Sequence, residues 1–283
     1  MLTHLGGIDH GVVLVRDLDA AAASFARLGF TIAPRGTHSP HMGTGNACVM
    51  LRQDYFELLG VLVPTELNAR WRRLLETREG ISAIALRAHD AEAGRAELEA
   101  RGIATLPVQH FGRPVALPGG HTAETRFQTF HVAEPPAPGL RLFACQHLTP
   151  EATWVPGLMD HANTAEALDA IEVLAADPAA AAAGLGRLLD RAPAAEPDGA
   201  VRLETGAAAL VFLTTAQLAA RYPGLDLAGL AEEGPVTLAI RVADRAAATR
   251  CVAGAGAIEG PHGIAVPPAA AHGIILAFRS EGR

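Results

Sequence analysis

His10 and Glu57 are the residues of this chain whose types and places most directly suggest chemistry. His10 lies in the apolar run IDHGVVLVRD, seven residues before Asp17, and Glu57 lies within YFELLGV. If both runs are neighbouring strands, side chains alternate between faces along each. His10 then shares a face with Val12 and Leu14, and Glu57 with Tyr55 and Leu59. An imidazole and a carboxylate meeting there could share one divalent ion. The plainer alternative is a His-Glu hydrogen bond, because an inward Glu on an apolar strand costs on the order of several kcal/mol unless something pairs with it. Other catalytic signatures are missing: there is no G-x-S-x-G, no P-loop, no G-x-G-x-x-G after a strand and no H-E-x-x-H.

The elements that must position these side chains come from an internal repeat. Residues 11–30, 84–103, 171–190 and 238–257 each read as an apolar strand ending in an Asp (Asp17, Asp90, Asp177, Asp244), followed by an Ala-rich helix. That spacing is too long for a solenoid and suits small modules. In the first module, strand and helix are followed by three more apolar stretches, FTIAPRG, GNACVML and DYFELLGVLV, and the second module repeats the order. The third is compressed, with its second strand weak or missing behind APAAEPDG. The expected fold is α+β: tandem βαβββ modules, four in two pairs, each pair forming a curved open-barrel sheet with helices outside. Residues 1–149 form the first, functional half, 150–166 a linker rich in Pro, Gly and mixed polarity, and 167–283 a second, degenerate half.

Composition narrows the function. A net charge of -7, with no basic blocks apart from RWRR at 70–73, argues against nucleic acid, and RWRR reads as a helix face with Trp71 packed and its arginines solvated. No apolar run reaches the ~20 residues a bilayer needs, and the N-terminus lacks the features of an export signal, so no membrane association is expected and the cytoplasm is the expected compartment. Cys48, Cys145 and Cys251 are scattered within or beside apolar runs, as buried small hydrophobes would be.

The βαβββ order, the opening IDHGVVLVRDLDAAAASFARLGF and the segment GTGNACVMLRQDYFELLGV together resemble the vicinal oxygen chelate superfamily, which includes glyoxalase I, extradiol dioxygenases and bleomycin-resistance proteins. The chain is most similar to glyoxalase-like members carrying a QHLTPE-type segment, here Gln146 to Glu151, and an H-x-N element, here His161 to Asn163. The resemblance implies a cavity between modules one and two, with ligands drawn from first and last strands. His10 and Glu57 stand at such positions, whereas the second module offers Ala83 and Phe143 there, which cannot bind metal. In the second half the corresponding positions are Ala170, Thr237, Ala277 and Phe212 or a neighbour, so that half is expected to be scaffold.

His147, four residues beyond Phe143, is the residue available to complete the set. His10, Glu57 and His147 would form a two-His, one-carboxylate site for Zn, Ni, Mn or Fe, with Glu57 as ligand or base and His147 or His41 as the other proton carrier; equally, His147 could cap the turn into Thr149-Pro150. His41 and Asn46 could reach the site from a loop, Arg87 could meet an anionic substrate or pair with an acid, Phe143 would form a wall, and His161 and Asn163 would close the cavity or fix the linker. Two functions follow. One is a metal-dependent lyase or isomerase acting on a small vicinal-oxygen substrate. The alternative is a metal-free small-molecule binding or sequestering protein of the bleomycin-resistance kind, with walls that include Tyr55, Phe56, Phe127, Phe130 and Phe143. Exposed sheet edges would allow a homodimer.

Overall fold

All four aspartates that mark the repeat are helix N-caps. Asp17 accepts from the amides of Asp19 and Ala20, Asp90 from Ala93, Asp177 from Ala180, and Asp244 from Ala246 and Ala247. Each satisfies amides that the first helical turn leaves without an intrahelical partner, so the repeated acid has a local structural reason at every site.

The computed structural model describes residues 2–116 and 122–280. Its first half comprises β1 (Leu5–Val15), α1 (Leu18–Arg27), β2 (Gly36–Thr37), β3 (Thr44–Met50), β4 (Tyr55–Val61), α2 (Ala69–Thr77), β5 (Gly80–Ala88), α3 (Ala91–Ala100), β6 (Gln109–Ala116), β7 (Thr122–His131) and β8 (Leu142–His147). The second half comprises β9 (Ala165–Leu174), α4 (Pro178–Leu189), β10 (Ala194–Ala195), β11 (Val201–Leu203), β12 (Ala209–Leu213), α5 (Thr215–Arg221), β13 (Gly234–Val242), α6 (Arg245–Val252), β14 (Ile258–Gly260), β15 (Gly263–Val266) and β16 (Ile275–Arg279). Each half is one eight-stranded sheet, ordered β2-β3-β4-β1-β5-β8-β7-β6 and β10-β11-β12-β9-β13-β16-β15-β14. This is the expected α+β arrangement of paired βαβββ modules. Two stretches differ in detail: of FTIAPRG only Gly36 belongs to a strand, and the third module keeps its second strand as the two-residue β10.

The first sheet curls until β6 lies beside β2. A Cβ on Gly36 would fall 2.5 Å from the Arg113 guanidinium carbon, so the missing side chain permits this near-closure. The convex faces of the two sheets pack against each other through a core that includes Val13, Ile84, Leu86, Ile171, Leu238 and Ile240. Gly7 sits where that contact is tightest, since a Cβ there would meet the backbone nitrogen of Ala207 at 2.6 Å.

The two concave faces differ. In the second half, α5 and the turn after it insert Leu218, Tyr222, Leu225 and Ala231 against Ala170, Val211, Ala239 and Ala277, filling the space. In the first half, α2 covers only part of the concave face, where Trp71, Leu74 and Leu75 pack on Val12, Leu14 and Leu59. A cavity of about 740 Å³ remains.

Candidate active site

β1 runs parallel to β4, with His10 opposite Tyr55 and Val12 opposite Glu57, and antiparallel to β5 on its other side. His10, Val12, Tyr55, Glu57, Leu59, Ala83 and Phe143 all face the cavity, so strand alternation puts the imidazole and the carboxylate on one wall. His10 Nε2 lies 3.9 Å from Glu57 Oε2, too far for a hydrogen bond. The His10 ring stacks on Tyr55 at 4.2 Å and meets the edge of Phe143 at 5.4 Å.

A register break in β1 adds a residue that alternation does not predict. Ile8 pairs with Leu86 and His10 with Ala85, which leaves Asp9 extra in the ladder. Such a bulge turns consecutive side chains toward the same face. Asp9 is fully buried: His10 Nδ1 donates to its Oδ1 at 2.8 Å, His147 Nε2 donates to the same oxygen at 3.0 Å, and Arg87 Nε donates to Oδ2 at 2.9 Å. Burial alone would raise the Asp9 carboxyl, but the bonds and charges of His10 and His147 outweigh it and hold the group well below the usual carboxylate range. Asp9 is therefore an anion, and it directs the Nε2 of His10 toward the cavity.

Glu57 is held in turn by Asn46, whose Nδ2 donates to Oε1 at 2.9 Å; among the described residues no donor reaches Oε2. His38 Nε2 lies 3.9 Å from Oε1, and its Nδ1 is 2.8 Å from the Thr44 hydroxyl. Burial lowers the pKa of His38 and the Arg113 charge adds to this, against the pull of Glu57, so the ring is neutral near pH 7. Cys48 pairs with Glu57 across β3 and β4, but burial and then the Glu57 charge push its thiol up to about 12, which removes it as a thiolate ligand or nucleophile.

A profile of the glyoxalase-like domain matches residues 8–189, which contain the whole cavity wall. The chain belongs to the glyoxalase-like domain family. Through it the chain joins the vicinal oxygen chelate superfamily. Among solved structures, a hypothetical protein from Staphylococcus aureus is similar at TM-score 0.65 and 12% identity, covering 96% of this chain and 98% of its own. A mutant of 4-hydroxymandelate synthase from Streptomyces coelicolor is similar at 0.56 and 15%, over 92% of this chain and 78% of that one. A xylose isomerase-like TIM barrel/4-hydroxyphenylpyruvate dioxygenase fusion protein is similar at 0.57 and 18%, over 92% and 40%. These likenesses are of fold. No protein of curated function matches the sequence.

In this glyoxalase-like site, the sequence-derived residues fall into three groups. His10, Glu57, Asn46 and Phe143 come together around the inner cavity, and His41 is exposed on the loop at its edge. His147 is placed differently from the expectation. Its Nε2 is taken by Asp9 and, among the described residues, its Nδ1 is buried without a partner and the group whose donor atoms lie within 4.8 Å of one another is Asp9, His10 and His147, not His10, Glu57 and His147. Arg87 faces away from the cavity into a shallow cleft with Arg52, Gln53 and His89, where it neutralises Asp9 and donates to the Gln53 carbonyl; it is not aimed at a substrate.

His161 and Asn163 belong to the linker. His161 Nδ1 accepts from the Thr31 amide at 3.0 Å and Nε2 donates to the Met50 carbonyl at 2.8 Å, while Asn163 Nδ2 donates to the Leu28 carbonyl and its Oδ1 accepts from the Ala165 amide. Both fix the linker by backbone hydrogen bonds, the second of the two roles expected for them, and neither lines the cavity.

Asp9, His38 and the arginines of the cavity mouth were not singled out from sequence. The repeat did carry a signal for the first: eight residues before Asp17 and Asp177 stand Asp9 and Asp169, an acid recurring within an apolar strand. His38 needs the β2-β3 register, which sets Gly36 opposite Asn46 and so brings His38 beside Thr44.

Two donor sets could hold an ion, and they share His10. In the Asp9, His10, His147 cluster, the guanidinium of Arg87 already neutralises the only carboxylate and the ligand atoms are committed to one another, which describes a hydrogen-bonded support. In the cavity, His10 Nε2, Glu57 Oε2 and His38 Nε2 make no hydrogen bond among the described residues, while Glu57 Oε1 is held by Asn46 and both imidazoles are anchored through Nδ1. A ligand imidazole whose other nitrogen donates to a carboxylate is a recurrent metal-site arrangement. The cavity set supplies two imidazoles and a carboxylate with open positions, but its donor atoms do not all lie within 4.8 Å of one another as those of Asp9, His10 and His147 do, so it would have to contract on an ion.

Proposed function

We propose that this protein is a divalent-metal-dependent lyase or isomerase acting on a small substrate with vicinal oxygens in the N-terminal cavity. One observation carries the reading: His10 Nε2 and Glu57 Oε2 face each other at 3.9 Å on one wall of the cavity. With Asp9 accepting the Nδ1 proton, His10 in its neutral form presents a lone pair to a carboxylate. Two acceptors held this way in a buried site call for a cation.

His10, Glu57 and His38 would hold the ion, and Zn, Ni, Mn and Fe all suit two imidazoles and one carboxylate. When bound, it would act as a Lewis acid, stabilising negative charge that develops on the substrate oxygens. Asp9 fixes the tautomer and orientation of His10, and His147 and Arg87 keep Asp9 ionised. Asn46 fixes Oε1 of Glu57, which leaves Oε2 as the oxygen that either holds the ion or takes a proton from a carbon beside the carbonyl and returns it. Val12, Leu59, Trp71 and Phe143 exclude water from that exchange.

The test is metal analysis of protein purified without chelator, with thermal denaturation in Mn, Ni and Zn. The expected result is one ion per chain and a raised Tm, both lost in His10→Ala. Absence of metal together with stabilisation by apolar ligands alone would instead support the sequestering reading, which the apolar cavity walls favour.

A further inference from the structure

The outer end of the cavity carries charge that the chain does not answer. Arg70 at the start of α2, Arg141 just before β8 and His131 at the end of β7 line it, with Leu67 and Leu106 beside them. Ten arginines of this acidic chain reach a carboxylate among the described residues, Arg16 on Glu79, Arg35 on Asp19 and Arg52 on Glu166 among them. Among the described residues, neither Arg70 nor Arg141 forms an ion pair, and Arg70 rests on the ring of Trp71 at 4.7 Å.

The three groups feel one another. Burial and then the charge of Arg141 lower Arg70 to about 10; burial and then the charges of Arg70 and Arg141 lower His131 to about 4. Two arginines gathered without an acid, Arg70 exposed and Arg141 half-buried, form a site in which an anion would relieve their repulsion. The apolar surface beside them is unusual as well, since Leu67 and Leu106 are 60% and 49% exposed.

This end is linked to the catalytic end through a single ring. Phe143 lies 5.4 Å from His10 and 5.2 Å from His131, centroid to centroid. A ligand can therefore present oxygens to His10 and Glu57 while its far end reaches the arginines.

We infer that the ligand of this cavity is an amphipathic anion whose carboxylate or phosphate docks between Arg70 and Arg141, with an apolar spacer lying along Phe143, Leu67 and Leu106. The inference deepens the proposed function by naming a substrate class, but the anion site does not depend on the ion. The two can fail separately.

The test is calorimetric titration of the full chain, before and after chelation, with octanoate, octyl phosphate and neutral octanamide at constant ionic strength. Both anions are expected to bind at least about tenfold more tightly than the amide, an advantage worth about 1.4 kcal/mol. Preference between them tells carboxylate from phosphate. Arg70→Gln with Arg141→Gln should reduce both anions to the affinity of the amide. Unchanged amide binding would show the cavity intact, and Arg73→Gln on the exposed side of the same helix should change nothing. Equal binding of anion and amide by the natural protein, or undiminished anion binding in the double variant with the amide still bound, overturns the inference. Metal content, measured on the same samples, reports on the ion site independently.

Discussion

The side chains of Asp9 and His10, adjacent in sequence, bond to each other at 2.8 Å because the bulge in β1 breaks the alternation of their side chains. In a regular strand they would point to opposite sides. The bulge thus builds a carboxylate-imidazole pair from consecutive residues, and β5 and β8 complete it with Arg87 and His147.

Asp9→Asn should separate support from folding. The amide keeps the shape but is a weaker acceptor, so the Nδ1 proton of His10 is less firmly held. Metal affinity is expected to fall by roughly 10–100-fold with the fold retained. Asp9→Ala leaves the Arg87 charge without its partner and should destabilise by roughly 2–4 kcal/mol, the lower end applying because Arg87 is a third exposed. Calorimetric metal titration and urea denaturation check the two effects; unchanged metal affinity in Asp9→Asn would leave Asp9 with packing alone.

His161 and Asn163 make the opposite prediction. Each bridges the linker to backbone groups of the first half, so His161→Ala and Asn163→Ala should each lose about 1–3 kcal/mol of stability by leaving buried partners unsatisfied. Metal stoichiometry and octanoate affinity should not change. A ligand affinity that fell while stability held would return these residues to the cavity.

The sequence made the architecture and one wall of the site readable, for definite reasons. The N-capping aspartates punctuate the chain because helices need amide acceptors at one place, and strand alternation put His10 and Glu57 on one face. Asp9 escaped because a bulge breaks alternation, and nothing local in GGIDHG announces one. His147 has the expected parity, but its partner depends on that same bulge. His38 and Arg70 lie outside the long strands, on a short hairpin and a connecting helix, where position comes from tertiary packing. RWRR read as a solvated helix face; Trp71 does pack, but Arg70 turns into the mouth of the cavity.

Asp54 should give the protein a stability slope with pH. Its carboxyl accepts from the Leu168 amide at 2.9 Å, tying the β3-β4 turn to the second half, and burial pushes its pKa up to about 7. The unfolded value is about 3.9. Below about pH 4 both states are protonated. Between there and about 7 the unfolded chain ionises while the folded chain keeps its proton, so stability falls as pH rises, by on the order of 2–4 kcal/mol in all. Asn at this position keeps the acceptor without the titration. Urea denaturation at pH 5 and pH 8 should therefore show a smaller difference for Asp54→Asn than for the natural protein, and equal differences would refute the assignment.

Two buried acids, one in each half, are held in opposite ways. Pairing places Val12 opposite Glu57 in the first half and Glu172 opposite Val211 in the second, so the acid has changed strands between them. Glu172 is bonded by Arg221 at 3.1 Å, Arg279 at 2.6 Å and the Tyr222 hydroxyl at 2.9 Å; burial would raise it, but the two arginines hold it below the usual range. Glu57 has Asn46 and two imidazoles beyond hydrogen-bond reach, with no cation bonded to it. Glu172→Ala should therefore destabilise by about 3 kcal/mol, because it removes the buried carboxylate shared by Arg221 and Arg279 and leaves them only the more exposed Glu196, Asp198 and Asp169, and leave metal content untouched. Glu57→Gln removes a charge with no cationic partner, so the metal-free protein should keep or slightly gain stability while losing its ion. Denaturation and metal analysis of both variants read the contrast directly. A Glu57→Gln protein that unfolds as readily as Glu172→Ala would make Glu57 a structural acid as well.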